Sequence, residues 1–306
     1  MNPSSPPDVT VVTPSYQQAS FIEETIQSVL AQTGVQVEYL VMDGGSTDGT
    51  LEILEKYRFR LQYLSENDQC QTDAINKGFQ RAQGRILAYL NSDDTYLPGA
   101  LAKAVRFLDE HPEFAMVYGE GYHVDVQGHI LERYYTEPFD FQRLAEVCFI
   151  CQPTAFVRRE VLSTVGYPDV TLQYCMDYDY WIRIGKKYAV GYLPDYLATS
   201  RLHPDNKTLS CKVPVHGEIL RRIHYHYGRV PARWIAAYSH TVVVRYLSRK
   251  DRVQDIAFRI LVHTLYLLKY VQTNKRLPLN DSMKRLYRKN SAGMNAQDLA
   301  ELAHLQ

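Results

Sequence analysis

The apolar run Ile86-Leu87-Ala88-Tyr89-Leu90 ends abruptly in Asn91-Ser92-Asp93-Asp94, which sets two carboxylates side by side. A continuous apolar run of this length reads as a buried parallel strand. Ligands of an open α/β sheet sit beyond the carboxyl ends of such strands. Two adjacent acids there repel each other unless something positive lies beside them, and a divalent metal on phosphate oxygens is the usual partner. The plainer reading is a loop, with Asp93 or Asp94 capping the helix that starts near Pro98. Asp43, Asp68 and Asp73 also follow or adjoin predicted strands. Strand ends lined with carboxylates repel a bare phosphate and become a phosphate site only with a cation. Asp43 lies too far along the sheet edge to share that metal, so its expected task is to accept a hydrogen bond from a donor such as a base N–H.

Other chemistries are disfavoured by what the motifs lack. After the first strand the chain reads Thr13-Pro14-Ser15-Tyr16-Gln17-Gln18. A dinucleotide fold would place Gly-x-Gly-x-x-Gly there. The P-loop pattern is missing too. Cys148 and Cys151 form a C-x-x-C pair without a second pair at zinc-ribbon spacing. Two buried neutral thiols is the better reading.

The elements that must position these residues alternate. Val9–Thr13 reads as a strand ended by Pro14, and Phe21–Gln32 as a helix with Ser20 as its cap and Gly34 past its end. Strands follow at Val37–Met42, Leu61–Leu64 and Ile86–Leu90. Helices follow at Leu51–Tyr57, Thr72–Ala82 and Gly99–Asp109. This is the rhythm of a doubly wound, mostly parallel α/β sheet. Then it changes: Ala115–Val124 and His129–Tyr135 read as a hairpin. A short helix at Arg159–Val165, a helix at Asp177–Lys187 and a strand at Val190–Thr199 come next. From about Val213 the pattern is helical, including Trp234–Leu247 and Val253–Val271. Asp281–Gln306 is polar and expected to be poorly ordered.

Composition bounds the class. The 306 residues are 45% hydrophobic and 22% charged, an ordinary globular balance. No signal-peptide pattern and no spanning apolar run is present, and five cysteines suggest a reducing compartment, hence a cytoplasmic expectation. The zero net charge hides an asymmetry. Residues 1–203 carry 16 Lys+Arg against 27 Asp+Glu, a net of −11, and residues 204–306 carry 18 against 7, a net of +11. Acids in the front can hold a metal. A basic helical tail can meet an anionic membrane or acceptor, or simply dock on an acidic partner surface.

Taken together, the motifs resemble family 2 glycosyltransferases with the GT-A fold. The resemblance rests on Thr13-Pro14-Ser15-Tyr16, Val41-Met42-Asp43-Gly44-Gly45-Ser46-Thr47-Asp48-Gly49-Thr50, Ser65-Glu66-Asn67-Asp68, Thr72-Asp73-Ala74-Ile75-Asn76-Lys77-Gly78 and Leu90-Asn91-Ser92-Asp93-Asp94. Gln152-Pro153-Thr154-Ala155-Phe156, Met176 to Arg183 and Arg201-Leu202-His203 extend it. It covers about residues 8–210 and leaves the last hundred unmatched. It implies a catalytic domain over 1–210, with a nucleotide-sugar half at about 8–112 and a partly antiparallel acceptor half at about 113–210. A basic helical extension over 211–306 completes the layout.

The activity implied is transfer of a sugar from a UDP- or dTDP-sugar to an acceptor hydroxyl, with inversion, in cell-surface polysaccharide or glycan synthesis. The resemblance makes Asp94 a ligand of Mg²⁺ or Mn²⁺, with Asp93 facing the ribose or the metal and His203 as second ligand. The first acid stands one position late for a strict D-x-D. The resemblance also implies that Asp43 accepts the uracil N3–H, that Pro14 and Tyr16 shape the base pocket, and that Asp68 touches base or ribose. Asp73 would orient the sugar or a basic side chain, or cap its helix. Asn91 and Gln152 join the donor-binding set, Gln152 with the acceptor as an alternative. Asp177 is the expected general base, although it could also cap its helix. Asp179 lies about 200° further round and cannot share that task. Trp181 reads as core or as the floor of the acceptor site. The acceptor is expected to be a glycan or lipid-linked, with peripheral contact at the inner membrane surface through the basic helices and faces such as Trp234, Ile235, Tyr238 and Val242. A nucleotidyltransferase-like enzyme and an inactive sugar-nucleotide-binding module are the alternatives; nucleic acid is not an expected partner.

Overall fold

The structure is a computed structural model, and it describes residues 6–204, 206–246, 252–275 and 278. In chain order the first elements are β1 (Val9–Ser15), α1 (Ile22–Leu30), β2 (Val37–Asp43), α2 (Thr50–Lys56) and β3 (Gln62–Ser65). Then come α3 (Gln71–Arg81), β4 (Ile86–Tyr89), β5 (Thr95–Tyr96), α4 (Ala100–Glu110), β6 (Phe114–Val124) and β7 (Ile130–Arg133). The rest are α5 (Phe141–Leu144), β8 (Phe156–Arg158), α6 (Val161–Val165), α7 (Met176–Gly185), β9 (Ala189–Arg201), α8 (Lys207–Ser210), α9 (Lys212–Tyr227), α10 (Ala232–Tyr246) and α11 (Arg252–Asn274).

The chain divides into two compact units. The first comprises residues 1–139 and 149–203 and contains the nine-stranded sheet, in the order β3-β2-β1-β4-β8-β6-β9-β5 with β7 beside β6. β1, β2, β3 and β4 run parallel. β8 is antiparallel to both β4 and β6, whereas β9 runs parallel to β6. The sheet is therefore mixed α/β and mostly parallel in its front half. Val9, Val11, Val41, Ile86 and Ala88 are buried in one core with Ile22, Ile26 and Val29 of α1. The continuous apolar run of β4 follows from burial on both faces, as does the complete burial of β1.

Several local expectations are revised. β1 runs through Pro14 to Ser15, beyond its last pair with β4, Val12↔Tyr89. A strand end tolerates a missing N–H. α1 starts after Phe21 with no side-chain cap, so Ser20 is not its cap. Neither Asp93 nor Asp94 caps α4, which starts after Gly99 at φ +75°. Only glycine adopts that backbone readily. Cys175, not Asp177, precedes α7, and Cys70, not Asp73, precedes α3. β5 and β8 have two and three residues. Such short strands carry no periodicity to read.

The second unit comprises residues 140–148 and 204–306. Trp234 is fully buried there, and its indole N–H donates to Ala145 O at 3.0 Å. Asn274 exchanges two bonds with the Val230 backbone, at 2.7 and 2.9 Å, and so pins the end of α11 to the loop before α10. Trp234 and Ile235 are core residues, which corrects their expected place on an outer apolar face. The outward apolar stripe is Ile256, Ile260 and Leu268 on α11. No helix among the described residues is long and apolar enough to cross a membrane. Residues 281–306 lie outside the described residues. Cys148 and Cys151 are both buried, and neither is in a disulfide.

Candidate active site

The first unit brings Asn91, Asp93, Asp94, Gln152 and His203 into one bonded network beyond the end of β4. Asp94 is 3% exposed. Its Oδ1 accepts the Arg201 backbone N–H at 2.9 Å, and its Oδ2 accepts Asn91 Nδ2 at 3.2 Å. Asn91 Nδ2 also donates to Gln152 Oε1 at 3.0 Å, and Gln152 Nε2 donates to Tyr89 O at 2.9 Å. Gln71, on the first turn of α3, donates to Asn91 Oδ1 at 2.8 Å. His203 Nε2 lies 3.0 Å from Asp93 Oδ2. Burial, and then the neighbouring Asp93 charge, pushes the Asp94 carboxyl well above the ordinary carboxylate range. This network reaches Gln71, which precedes the motif that starts at Thr72 and was not singled out from sequence, and Arg201, which opens the motif Arg201-Leu202-His203 but was given no role; only the fold joins either to the acids.

The residues fit a divalent cation. Asp94 is buried beside a second acid, and the guanidinium of the nearby Arg201 is bonded to backbone carbonyls and Glu24 rather than to either carboxylate. Two carboxylates and an imidazole make an O,O,N donor set that Mn²⁺ accepts, and Mg²⁺ takes the carboxylates. Among the described residues no three His, Cys, Asp or Glu side chains form a metal cage. Asp93, Asp94 and His203 would hold the ion only together with oxygens of a ligand. His203 pairs here with Asp93 rather than with Asp94.

A second cluster lies beyond β1 and β2. Asp43 is buried and accepts four bonds, from Gly45 N at 3.0 Å, Ser46 N at 2.9 Å, Ser46 Oγ at 2.6 Å and Ser65 Oγ at 2.7 Å. Three of these reach Oδ2, and only the Ser46 hydroxyl reaches Oδ1, which keeps a lone pair to offer. Tyr16 is 60% exposed. A Cβ on Gly44 would stand 2.6 Å from Asp68 Oδ2 and 3.4 Å from Tyr16 Cδ2. Gly44 therefore floors a narrow cradle between the Tyr16 ring and Asp68. The two loops are zipped together by Gln17 N to Ser46 Oγ at 2.8 Å and Gln18 N to Thr50 Oγ1 at 3.0 Å. Gln17 sits at φ +54°, a strained backbone of the kind that gathers at functional loops.

Asp73 accepts Gln69 N at 3.2 Å and pairs with Lys77 at 3.3 Å. It orients a basic side chain from within the first turn. α3 also holds the loop that leads to α7, since Asn76 Nδ2 donates to Pro168 O at 2.9 Å. Asp177 is partly exposed in the first turn of α7. Asp179 is fully buried and accepts Arg183 Nε at 2.8 Å, and Trp181 is core. The pair at 177 and 179 therefore divides as helical geometry requires.

The model of "Glycosyl transferase family 2" matches residues 10–166. The putative teichuronic acid biosynthesis glycosyltransferase TuaG of Bacillus subtilis (strain 168) is 31% identical over 235 residues, covering 72% of this chain and 90% of that protein. The uncharacterized glycosyltransferase RP339 of Rickettsia prowazekii is 29% identical over 213 residues, 66% of each chain, just under two thirds of that relative's length. S. aureus TarS 1-349 in complex with UDP-GlcNAc superposes with a TM-score of 0.61 at 18% identity, over 94% of this chain and 93% of that one. The mannosyltransferase PcManGT from Pyrobaculum calidifontis, in complex with GDP-Man and Mn²⁺, gives 0.57 at 18% identity, over 99% and 86%. These structures share the GT-A fold. The family model covers half of the chain and TuaG matches it over 72% of its length, so the chain belongs to glycosyl transferase family 2.

Proposed function

We propose that the protein is an inverting, metal-dependent glycosyltransferase that moves a sugar from a UDP- or dTDP-sugar to a hydroxyl of a glycan or lipid-linked acceptor in cell-surface glycan synthesis. The observation that carries this reading is the buried Asp94 carboxylate, joined to Asn91 and Arg201 and flanked by the Asp93–His203 pair at 3.0 Å. TarS and PcManGT are solved with nucleotide sugars, which supports a donor of that class. Asp43 Oδ1 would accept the N3–H that uracil and thymine share, with the base beside Tyr16 and the ribose toward Asp68. A divalent cation at Asp93, Asp94 and His203 would neutralise charge developing on the leaving diphosphate.

Asn91 and Gln152 brace Asp94. Asp177 would take the proton of the acceptor hydroxyl as that oxygen attacks the anomeric carbon opposite the leaving group, which inverts the centre. Work at a cytoplasmic membrane face suits a net charge of +11 over residues 204–306 and the outward stripe Ile256, Ile260 and Leu268. The test is calorimetric titration with UDP, dTDP and GDP, each with and without Mn²⁺, on the wild type and on Asp94→Asn. Metal-dependent binding of UDP or dTDP, lost in the variant, is the expected result. Metal-independent binding, or none, returns the chain to the inactive binding-module reading.

A further inference from the structure

The Asp93–Asp94 turn is held from behind by one buried cation. Arg201 is 2% exposed. Its Nε donates to Asp93 O at 3.0 Å, and its backbone N–H donates to Asp94 Oδ1 at 2.9 Å. Nη1 donates to the carbonyls of Asp125 and Val126 at 3.1 and 2.9 Å, in the turn between β6 and β7. Nη2 donates to Glu24 Oε2 at 2.6 Å. These bonds occupy four of the five guanidinium N–H groups. An arginine beside a diphosphate site is ordinarily assigned to the phosphates. This one is spent on backbone carbonyls and a single carboxylate.

α1 supplies the other supports. Thr25 Oγ1 donates to Asp94 O at 2.8 Å. The Phe21 ring lies 5.0 Å from the His203 ring, and the Arg201 guanidinium lies over Phe21 at 5.4 Å. The carbonyls of both acids, one oxygen of the Asp94 carboxylate and the imidazole that bonds Asp93 are all held by Arg201, Thr25 of α1 and Phe21 just before it.

We propose that Arg201, balanced by Glu24, is a positioning residue that sets the Asp93 and Asp94 carboxylates for a divalent cation without itself touching the nucleotide diphosphate. This rests on the metal-dependent donor site proposed above. Ligands must be held within about 0.5 Å for such a site to work. Partners behind the ligands typically change metal affinity about 10- to 100-fold. Glu24 matters because it is the carboxylate that balances the guanidinium. Without its charge, Nη2 is drawn toward the acids and competes with the cation.

Two variants test this. Glu24→Gln keeps the shape and removes the charge of a side chain that is 58% exposed, so the fold survives. Arg201→Lys keeps the charge and loses the fork. The readout is calorimetric: UDP binding without metal, then the Mn²⁺ concentration that gives half of the metal-dependent gain. The expected result is a requirement for Mn²⁺ raised about 10-fold in Arg201→Lys and a few-fold in Glu24→Gln, with metal-free UDP binding equal to wild type. An unchanged Mn²⁺ requirement in the folded variants overturns the proposal. A fall in metal-free UDP binding in Arg201→Lys also overturns it, because the guanidinium would then grip the diphosphate. If circular dichroism shows Arg201→Lys unfolded, Glu24→Gln decides alone. A wild type whose UDP binding ignores Mn²⁺ overturns the donor-site reading itself, and that result is seen before any variant is made.

Discussion

His203 Nε2 lies 3.0 Å from Asp93 Oδ2, and so bonds the acid beside Asp94 rather than Asp94 itself. The imidazole closes the acid pair from one side, while Arg201 closes it from behind. His203→Ala is therefore expected to free Asp93 and to raise the Mn²⁺ needed for UDP binding. Metal-free UDP binding should be unchanged, and calorimetry reads both values. Equal loss with and without metal would instead place His203 on the nucleotide.

Asp94 gives a prediction on stability. Its carboxyl is raised above its unfolded value by burial and then by Asp93. Such a group contributes stability that is full below the unfolded pKa, near 3.9, and is lost as pH rises through the folded pKa. At pH 7 without metal the charged form is a cost. Asp94→Asn should raise the melting temperature of the metal-free protein while removing metal-dependent nucleotide binding. A lower melting temperature at pH 7 would contradict this account.

Gly44 separates cradle from fold. A methyl group there meets Asp68 Oδ2 at 2.6 Å and the Tyr16 ring at 3.4 Å. Gly44→Ala should weaken UDP or dTDP binding about tenfold or more, with little change in melting temperature, because the atom met at 2.6 Å is the end of the half-buried Asp68 side chain, which can swing aside. Undiminished affinity would put the base elsewhere.

Asp177 and Asp179 should fail in different ways. Asp177→Asn should fold, bind nucleotide normally and lose about 10²- to 10⁴-fold in turnover, read as UDP released from a UDP-sugar with acceptor. Asp179→Ala empties a fully buried site and takes from the half-buried Arg183 the carboxylate it bonds at 2.8 Å, leaving it the carbonyls of Val165 and Tyr167. It should destabilise the protein by about 1–3 kcal/mol, read by urea denaturation. Normal turnover in folded Asp177→Asn would remove it as the base.

The second unit carries a pH response of its own. Burial, and then Lys212 and His240, pull the His216 pKa down to about 4. A histidine with a lowered folded pKa contributes stability above its unfolded value, near 6.5, that is lost as pH falls toward 4. The loss should be about 2 kcal/mol over that window. Thermal melts from pH 7 to pH 4.5 on wild type and His216→Gln read it, and parallel slopes would refute it.

Much of the front half was legible because its signals are local. The apolar stretches of β1, β4 and the second half of β2 report burial on both faces, and the acids that end β2 and follow β4 mark the carboxyl edge of a parallel sheet. The helical spacing in α1, α3 and α4 reports one face against that sheet. The two-residue separation of Asp177 and Asp179 already implied that one faces inward, although only the fold chose Asp179. The cap expected at Ser20 was misread, and the alternative caps at Asp73, Asp93 or Asp94, and Asp177 do not form, because α1, α3, α4 and α7 begin without a side-chain cap and tertiary packing holds them.

What the chain determined by itself was the α/β class, the order of its motifs and the residue types at the strand ends. The tertiary structure alone decided which of those residues meet. Asn91 finds Gln152 sixty-one positions away and Gln71 twenty away. Asp94 accepts from Arg201 one hundred and seven positions on. Trp234 is turned into a core rather than outward. Periodicity records which way a side chain points from its own element. It does not record which distant element lies opposite, since sheet order and crossover set that, so the bonded network of the site became visible only in three dimensions.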